Sequence, residues 1–332
     1  MLQIHAPGLE QVQEKREAAF PEKAGTAFPA DLCQNKELSR YSDEPRQLRS
    51  GGLGKNASLQ LGFERRGDRT ALIKLDRRAP LLVQQALYWD EEMPGLPCVS
   101  IISNAGGILQ GDRYAIGIDL AEGAEAHVTT QAATKIHEMD ANFATQTQDI
   151  TLAAGAYLEY LPLPVIPHKN CRFVSHTRIR IDPTATLLYS EILMPGRKHY
   201  ANGELFAYDL LSVAVQAERP DGKALFAEKF VIEPRSADIR NIAVMAGFDV
   251  FANVLLLTPK AHTDRLFEQI DPVFDPKQGW AAGISRLPGD AGLIFKVLGM
   301  ETQLVRAKVR EFWSRVRREV KGVPIPEEFL WE

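Results

Sequence analysis

Leu120-Ala-Glu-Gly-Ala-Glu-Ala-His-Val128, Leu152-Ala-Ala-Gly-Ala-Tyr-Leu-Glu-Tyr160 and Ile181-Asp-Pro-Thr-Ala-Thr-Leu-Leu-Tyr189 are three versions of one phrase. Each joins an apolar strand end, a tight turn built on a small residue, and a new strand. They recur roughly every 30 residues, the interval that stacked coils of chain require. The phrase predicts a mostly β protein in which strands form a layered, β-helix-like stack.

The same period-two patterning runs outward from these phrases, from Ala57 to about Pro234. Ala57-Ser-Leu-Gln-Leu-Gly-Phe63 and Thr70-Ala-Leu-Ile-Lys-Leu75 alternate as half-buried strands do, and Arg66-Gly-Asp-Arg69 between them predicts a hairpin turn. Cys98–Ile102, Ala115–Leu120, Ala126–Thr130, Arg178–Ile181, Leu187–Glu191 and Leu210–Val215 continue the series. Beyond Pro234 the pattern lengthens. Thr263–Ile270 reads as a helix capped near Thr263, Gly292–Leu298 as a further strand, and Glu301–Val316 as an amphipathic helix. The apolar stripe of that last helix is predicted to hold Leu304, Val305, Lys308, Phe312 and Val316, with a basic face opposite. A few helices toward the C-terminus thus complete a single β-rich domain over residues 55–332.

Residues 1–54 mix charges of both signs with four prolines and close on Ser50-Gly-Gly-Leu-Gly54. They offer little apolar area against their ordering entropy, which predicts an extension that is mobile or ordered only on a partner, with a short helix around Leu9–Ala19.

Composition narrows the function. The chain has 332 residues, 45% of them hydrophobic, enough for a sizeable core. A formal net charge of −4 argues against a nucleic-acid surface. Cys33, Cys98 and Cys171 are too few and too scattered for a disulfide framework or a closed zinc site, so reduced thiols are expected. No basic leader with an apolar run and no stretch of about 18 apolar residues occurs, which predicts a cytoplasmic protein.

The densest local signal is Asn104-Ala-Gly-Gly-Ile-Leu-Gln-Gly-Asp-Arg-Tyr114, followed after one strand by Thr129-Thr-Gln-Ala-Ala-Thr-Lys135. Glycines at this density mark positive φ or a close approach of backbone. Their spacing fits neither a dinucleotide fingerprint nor a phosphate loop. No Gly-x-Ser-x-Gly elbow is present, although Ser190, Glu191 and His199 could be drawn as a triad. A β-scaffold hydrolase, metal-dependent or of Ser/His type, is therefore the alternative reading. His127, His137, Glu138, Asp140 and His168 cluster in sequence, and imidazole with carboxylate suits borderline cations such as nickel or zinc. Asp112, Glu159, Glu191 and Glu228 lie within apolar β-segments, where a carboxylate costs several kcal/mol unless paired, hydrated or metal-bound. Together the four acids allow a hydrated internal passage.

In sequence order, Gly106–Asp112, the Thr129–Lys135 run, Leu158-Glu-Tyr-Leu-Pro162, Leu187–Arg197 and the ending from Phe312 to Trp331 resemble the urease accessory protein UreD (UreH) family over residues 55–332. The resemblance implies a non-enzymatic maturation factor. It would bind apo-urease and, through UreF, recruit the nickel-carrying GTPase UreG. It also implies nickel in transit through an internal tunnel, with no tightly bound cofactor. By match to the family motifs, Asp112, Glu191 and Glu228 are the expected acids of that path. UreF contact is expected on Thr302–Glu332, where Phe329-Leu-Trp331 forms an apolar tip. His137-Glu-Met departs from the aromatic-Arg-Ser sequence usual after the threonine run, so a metal role for His137 would be this chain's own.

Overall fold

The computed structural model describes residues 54–327. The expected N-terminal extension, apart from Gly54, lies outside them, as do Cys33, the short helix at Leu9–Ala19 and the apolar tip at Phe329–Trp331.

Three successive turns of chain make the centre of the molecule. The first runs through β5 (Arg113–Leu120), β6 (Glu125–Thr130) and β7 (Thr134–Ile136). The second runs through β8 (Ala144–Leu152), β9 (Tyr157–Tyr160) and β10 (Val165–Pro167). The third consists of β11 (Arg172–Ile181) and β12 (Thr186–Leu193). Equivalent strands pair in parallel, and the repeated phrase turns out to be the register itself. Leu120 faces Leu152, which faces Ile181. Glu125, Tyr157 and Thr186 form the next such row, and His127, Glu159 and Leu188 another. The third phrase has no glycine at its turn. There Asp182 Oδ1 accepts from Thr184 N at 2.8 Å, and Thr184 Oγ1 in turn accepts from Gly155 N at 2.9 Å, tying one layer's turn to the next.

Further strands extend the stack into two sheets. In the first, β1 (Asn56–Arg66), β5, β8, β11 and β13 (Leu210–Glu218) are parallel, with antiparallel β2 (Arg69–Arg78) and β14 (Ala224–Ile232) at its edges. In the second, β4 (Cys98–Ser103), β6, β9 and β12 are parallel, with the short β3 (Leu81–Leu82) antiparallel beside β4. Beyond β12 come β15 (Val250–Leu257), β18 (Gly292–Gly299), β17 (Trp280–Arg286) and β16 (Val273–Asp275), all antiparallel. The short β7 and β10 pair with each other on a third face, where Ile108 adds an isolated bridge to Ile136. The predicted hairpin at Arg66–Arg69 is the β1–β2 turn. The strands β15 to β17 extend the β-structure well past Pro234, into the region expected to turn to longer periods.

Two cores result. One fills the space between the sheets, with Leu59, Leu61, Ile118, Leu158 and Leu187 fully buried in it. The other lies on the outer face of the second sheet, beneath α1 (Lys260–Phe267) and α2 (Thr302–Lys321). Helix α1 begins three residues before the expected Thr263, because Pro259, fixed at φ −52°, starts it, and Thr263 is buried inside it. Helix α2 ends at Gly322, in the left-handed conformation with φ 75°. Its buried stripe is Val305, Val309, Phe312, Trp313, Val316 and Arg317, rotated from the expected one. Leu304 and Lys308 stay half-exposed at its margin, and a guanidinium lies within the stripe.

Candidate functional site

Alternation along β12 sends its side chains to opposite cores. Leu187, Tyr189 and Leu193 pack between the sheets, while Leu188 and Ile192 pack under the helices. Glu191 follows the inward set. Register places it opposite Asn253 of β15, which faces Lys296 of β18, so three polar groups form one row across the second sheet. From the edge strand of the first sheet, Glu228 meets that row. Asn253 Nδ2 donates to Glu228 Oε2 at 2.8 Å, and Lys296 Nζ pairs with Glu228 Oε1.

The row continues a hydrogen-bonded strip through the interior. Tyr160 OH donates to Gln148 Oε1 at 2.6 Å, and Gln148 Nε2 donates to Thr177 Oγ1 at 2.7 Å and Tyr189 OH at 3.0 Å. Tyr189 OH donates to Glu191 Oε1 at 2.8 Å. The other oxygen, Glu191 Oε2, is buried and has no hydrogen-bond partner among the described residues. Burial pushes the Glu191 carboxyl up to about 7, the charge of Glu228 adds to the rise, and the Tyr189 hydroxyl offsets only part of it.

A second set of charges sits on the opposite face of the same sheet. Glu159 and His127 belong to one outward row, and α2 lowers Arg317 onto them. Arg317 Nε and Nη2 donate to Glu159 Oε1 and Oε2 at 2.8 and 2.7 Å. Arg317 Nη1 pairs with Asp90, whose other oxygen accepts from Glu92 N and Met93 N. Tyr157 OH donates to Glu159 at 2.7 Å, and His127 Nδ1 lies 2.9 Å from it, with the His127 ring stacked on Trp313. Burial alone would raise the Glu159 carboxyl, but the Arg317 guanidinium and His127 outweigh it and hold it far below the usual range. The expected helix stops at Val316, one residue short of Arg317, so sequence reasoning missed it. The signal was its spacing of four and eight from Trp313 and Val309, which puts it on the buried stripe.

The remaining candidates fall elsewhere. Asp112 is buried, and both its oxygens hold backbone amides: Oδ1 accepts from Lys55 N at 2.8 Å and Oδ2 from Leu109 N at 2.9 Å. No described interaction joins it to Glu191 or Glu228. His127 is separated from His137 and His168, which meet on the third face, their ring centroids 4.8 Å apart and their planes at 67°. Glu138 accepts from Asn170 Nδ2 at 2.6 Å, and Asp140 is exposed. Among the described residues no group of three or more His, Cys, Asp or Glu side chains is placed to hold a metal. Cys98 and Cys171 are buried free thiols.

The triad drawn from Ser190, Glu191 and His199 does not assemble. Successive residues Ser190 and Glu191 face opposite sides of the sheet, and His199 is exposed beside Glu301 at 3.8 Å. Ser190 shares a small cavity of about 50 Å³ with His127 under α2. It stands two strands away from His127 in the sheet order, roughly 10 Å at the usual strand spacing, too far for the pair to act as a serine–histidine couple. No helix among the described residues is long and apolar enough to cross a membrane.

The family model of the UreD urease accessory protein matches residues 55–332. The chain is 64% identical over 300 residues to the urease accessory protein UreD 2 of Brucella suis biovar 1, covering 90% of this chain and 99% of that protein. It is 51% identical over 301 residues to the urease accessory protein UreD of Yersinia enterocolitica, covering 89% of this chain and 92% of that protein. The UreD of Yersinia pseudotuberculosis is likewise 51% identical over 295 residues, with the same coverage.

Proposed function

Because the chain belongs to the UreD family of urease accessory proteins and so serves urease maturation without being an enzyme, we propose that it conducts nickel to apo-urease through the strip between its two sheets. In this reading UreF docks on it in the cytoplasm and brings the GTPase UreG, which supplies the ion. The observation that carries the conduit is the unpartnered buried oxygen of Glu191, set beside Glu228 in a row with Asn253 and Lys296.

A buried carboxylate oxygen without a partner is costly, and such groups persist where something transient satisfies them. Glu191 and Glu228 present hard oxygen donors, with the Asn253 amide between them. Lys296 already satisfies one oxygen of Glu228, so a passing divalent ion competes with an ammonium and leaves again easily. Weak, replaceable ligation is what passage requires. Asp112 contributes by holding the turn that joins Lys55 to the first layer.

The test is maturation of urease by full-length protein carrying Glu191→Gln and Glu228→Gln together. The complex with UreF and apo-urease should still co-purify, while nickel per urease active site and urease activity fall several-fold. Full nickel content in the presence of an intact complex would remove the conduit and leave a purely structural adaptor.

A further inference from the structure

We propose that His137 and His168 form a second metal site, on the third face of the stack, that takes a borderline divalent cation such as nickel or zinc. The two residues follow β7 and β10, which pair in parallel with Ile136 opposite Pro167, so the layering itself sets the imidazoles side by side. The His168 backbone N–H donates to Ile136 O at 2.9 Å, fixing the relation of the two layers at this point.

Three features suit the pair to an ion. His168 is 7% exposed, and among the described residues no hydrogen bond reaches its ring. A neutral imidazole with no hydrogen bond to its ring keeps a nitrogen lone pair to offer, and His137 stands beside it among Arg197, Glu204 and Lys135. Second, His137 is half-buried and open to solvent on one side, which gives an ion a way in. Its Nε2 lies 3.4 Å from Gly106 O, a long contact that favours the tautomer leaving Nδ1 free to ligate. Third, the glycine run is fitted to this ring. A Cβ at Gly107, whose φ is 149°, would lie 2.8 Å from the His137 ring and 2.7 Å from Lys135 O. Only glycine lets the loop close over the imidazole.

The rings' separation and 67° tilt are compatible with two nitrogens about 3.3 Å apart, the separation that tetrahedral coordination at about 2.0 Å sets. Lys135 and Arg197 place positive charge nearby. Arg197 is held by both oxygens of Glu204, and Glu138 stands close by, so the local balance does not exclude a cation. Two imidazoles with water completing the shell make an exchanging site rather than a storage site, consistent with the absence of a third side-chain ligand among the described residues.

This site does not depend on the interior path, and the experiment separates the two. Nickel(II) alone is titrated into the full-length protein by calorimetry. Wild type is expected to bind one ion in the micromolar range at this site. His137→Ala, a change at a half-exposed position, should weaken that binding at least about tenfold, as should His168→Asn, which keeps a polar group in the buried position. The Glu191→Gln, Glu228→Gln double variant should retain it. The proposal is overturned if His137→Ala binds as wild type does, or if binding vanishes in the glutamine double variant while persisting in His137→Ala.

Discussion

Glu159 and Glu191 lie on neighbouring strands of one sheet, each within an apolar segment, yet they face opposite cores and have opposite electrostatics. Glu159 is enclosed by Arg317, His127 and Tyr157, and its charged form is strongly favoured. Glu191 receives one tyrosine hydroxyl, faces another acid, and is pushed up to about 7. Glu159 is fully buried and Glu191 half-buried with its Oε2 shut off from water; the partners decide the difference. A buried carboxylate with a complete shell locks an element in place, and one with an incomplete shell is available for something else. Here the complete shell fastens α2 to the sheet, and the incomplete shell opens toward the interior strip.

The largest effect should come from breaking the closed cluster. Arg317→Ala leaves Glu159 and Asp90 buried without their counter-charge, and removing one partner of a buried pair typically costs about 3–5 kcal/mol. Denaturant unfolding should show that loss, with α2 the first element to lose protection from hydrogen exchange. A loss below about 1 kcal/mol would mean that the cluster does not hold the helix.

The two carboxylates should also differ in the sign of their pH dependence. Glu159 has a depressed folded value, so its stabilisation is present above about 4.5 and is lost as pH falls. Glu191 has a raised one. The folded state holds its proton where the unfolded chain has released it, so stability is lost as pH rises from about 4.5 through about 7. At about 1.4 kcal/mol per unit, that loss is on the order of 3 kcal/mol. Glu191→Gln should flatten this part of the profile and make the protein more stable than wild type at pH 8, whereas Glu159→Gln should destabilise it there. If both glutamine variants shift stability in the same direction at pH 8, the contrast fails.

How much of this was legible in the sequence depends on whether neighbours in space were also neighbours in pattern. The layering was legible because Leu120, Leu152 and Ile181 occupy the same place in a repeated phrase, and stacking like on like is what parallel coils do. The approach of Glu228 to Glu191 was legible only as two acids in β-patterned segments, since the strands that carry them belong to different sheets. Arg317 was hidden because it falls just past the expected end of the helix at Val316, and its partners lie 158 and 227 residues away. His137 and His168 stood in the sequence as part of a loose cluster with His127. Strand alternation and layer pairing then sorted that cluster, sending His127 to the outer core and the other two to the third face.

Asp112 supplies the smallest and sharpest test, because it is a third buried acid that falls on the closed side of the comparison without any cation. Its oxygens are occupied by two backbone amides, one from the first layer's turn and one from the segment entering β1. The segment must pass close, and a Cβ at Gly54 would lie 2.3 Å from Gly111 O, so glycine is required where the carboxylate clamps the two stretches together. Asp112→Asn keeps one acceptor but turns an amide N–H₂ toward one of the two backbone donors. That should cost about 1–2 kcal/mol, with Asp112→Ala somewhat worse. A turn-holding acid also predicts what does not change: nickel delivered per folded complex should match wild type at a temperature where Asp112→Asn remains folded. A drop in nickel per complex with unaltered stability would move Asp112 from the closed class to the open one, beside Glu191.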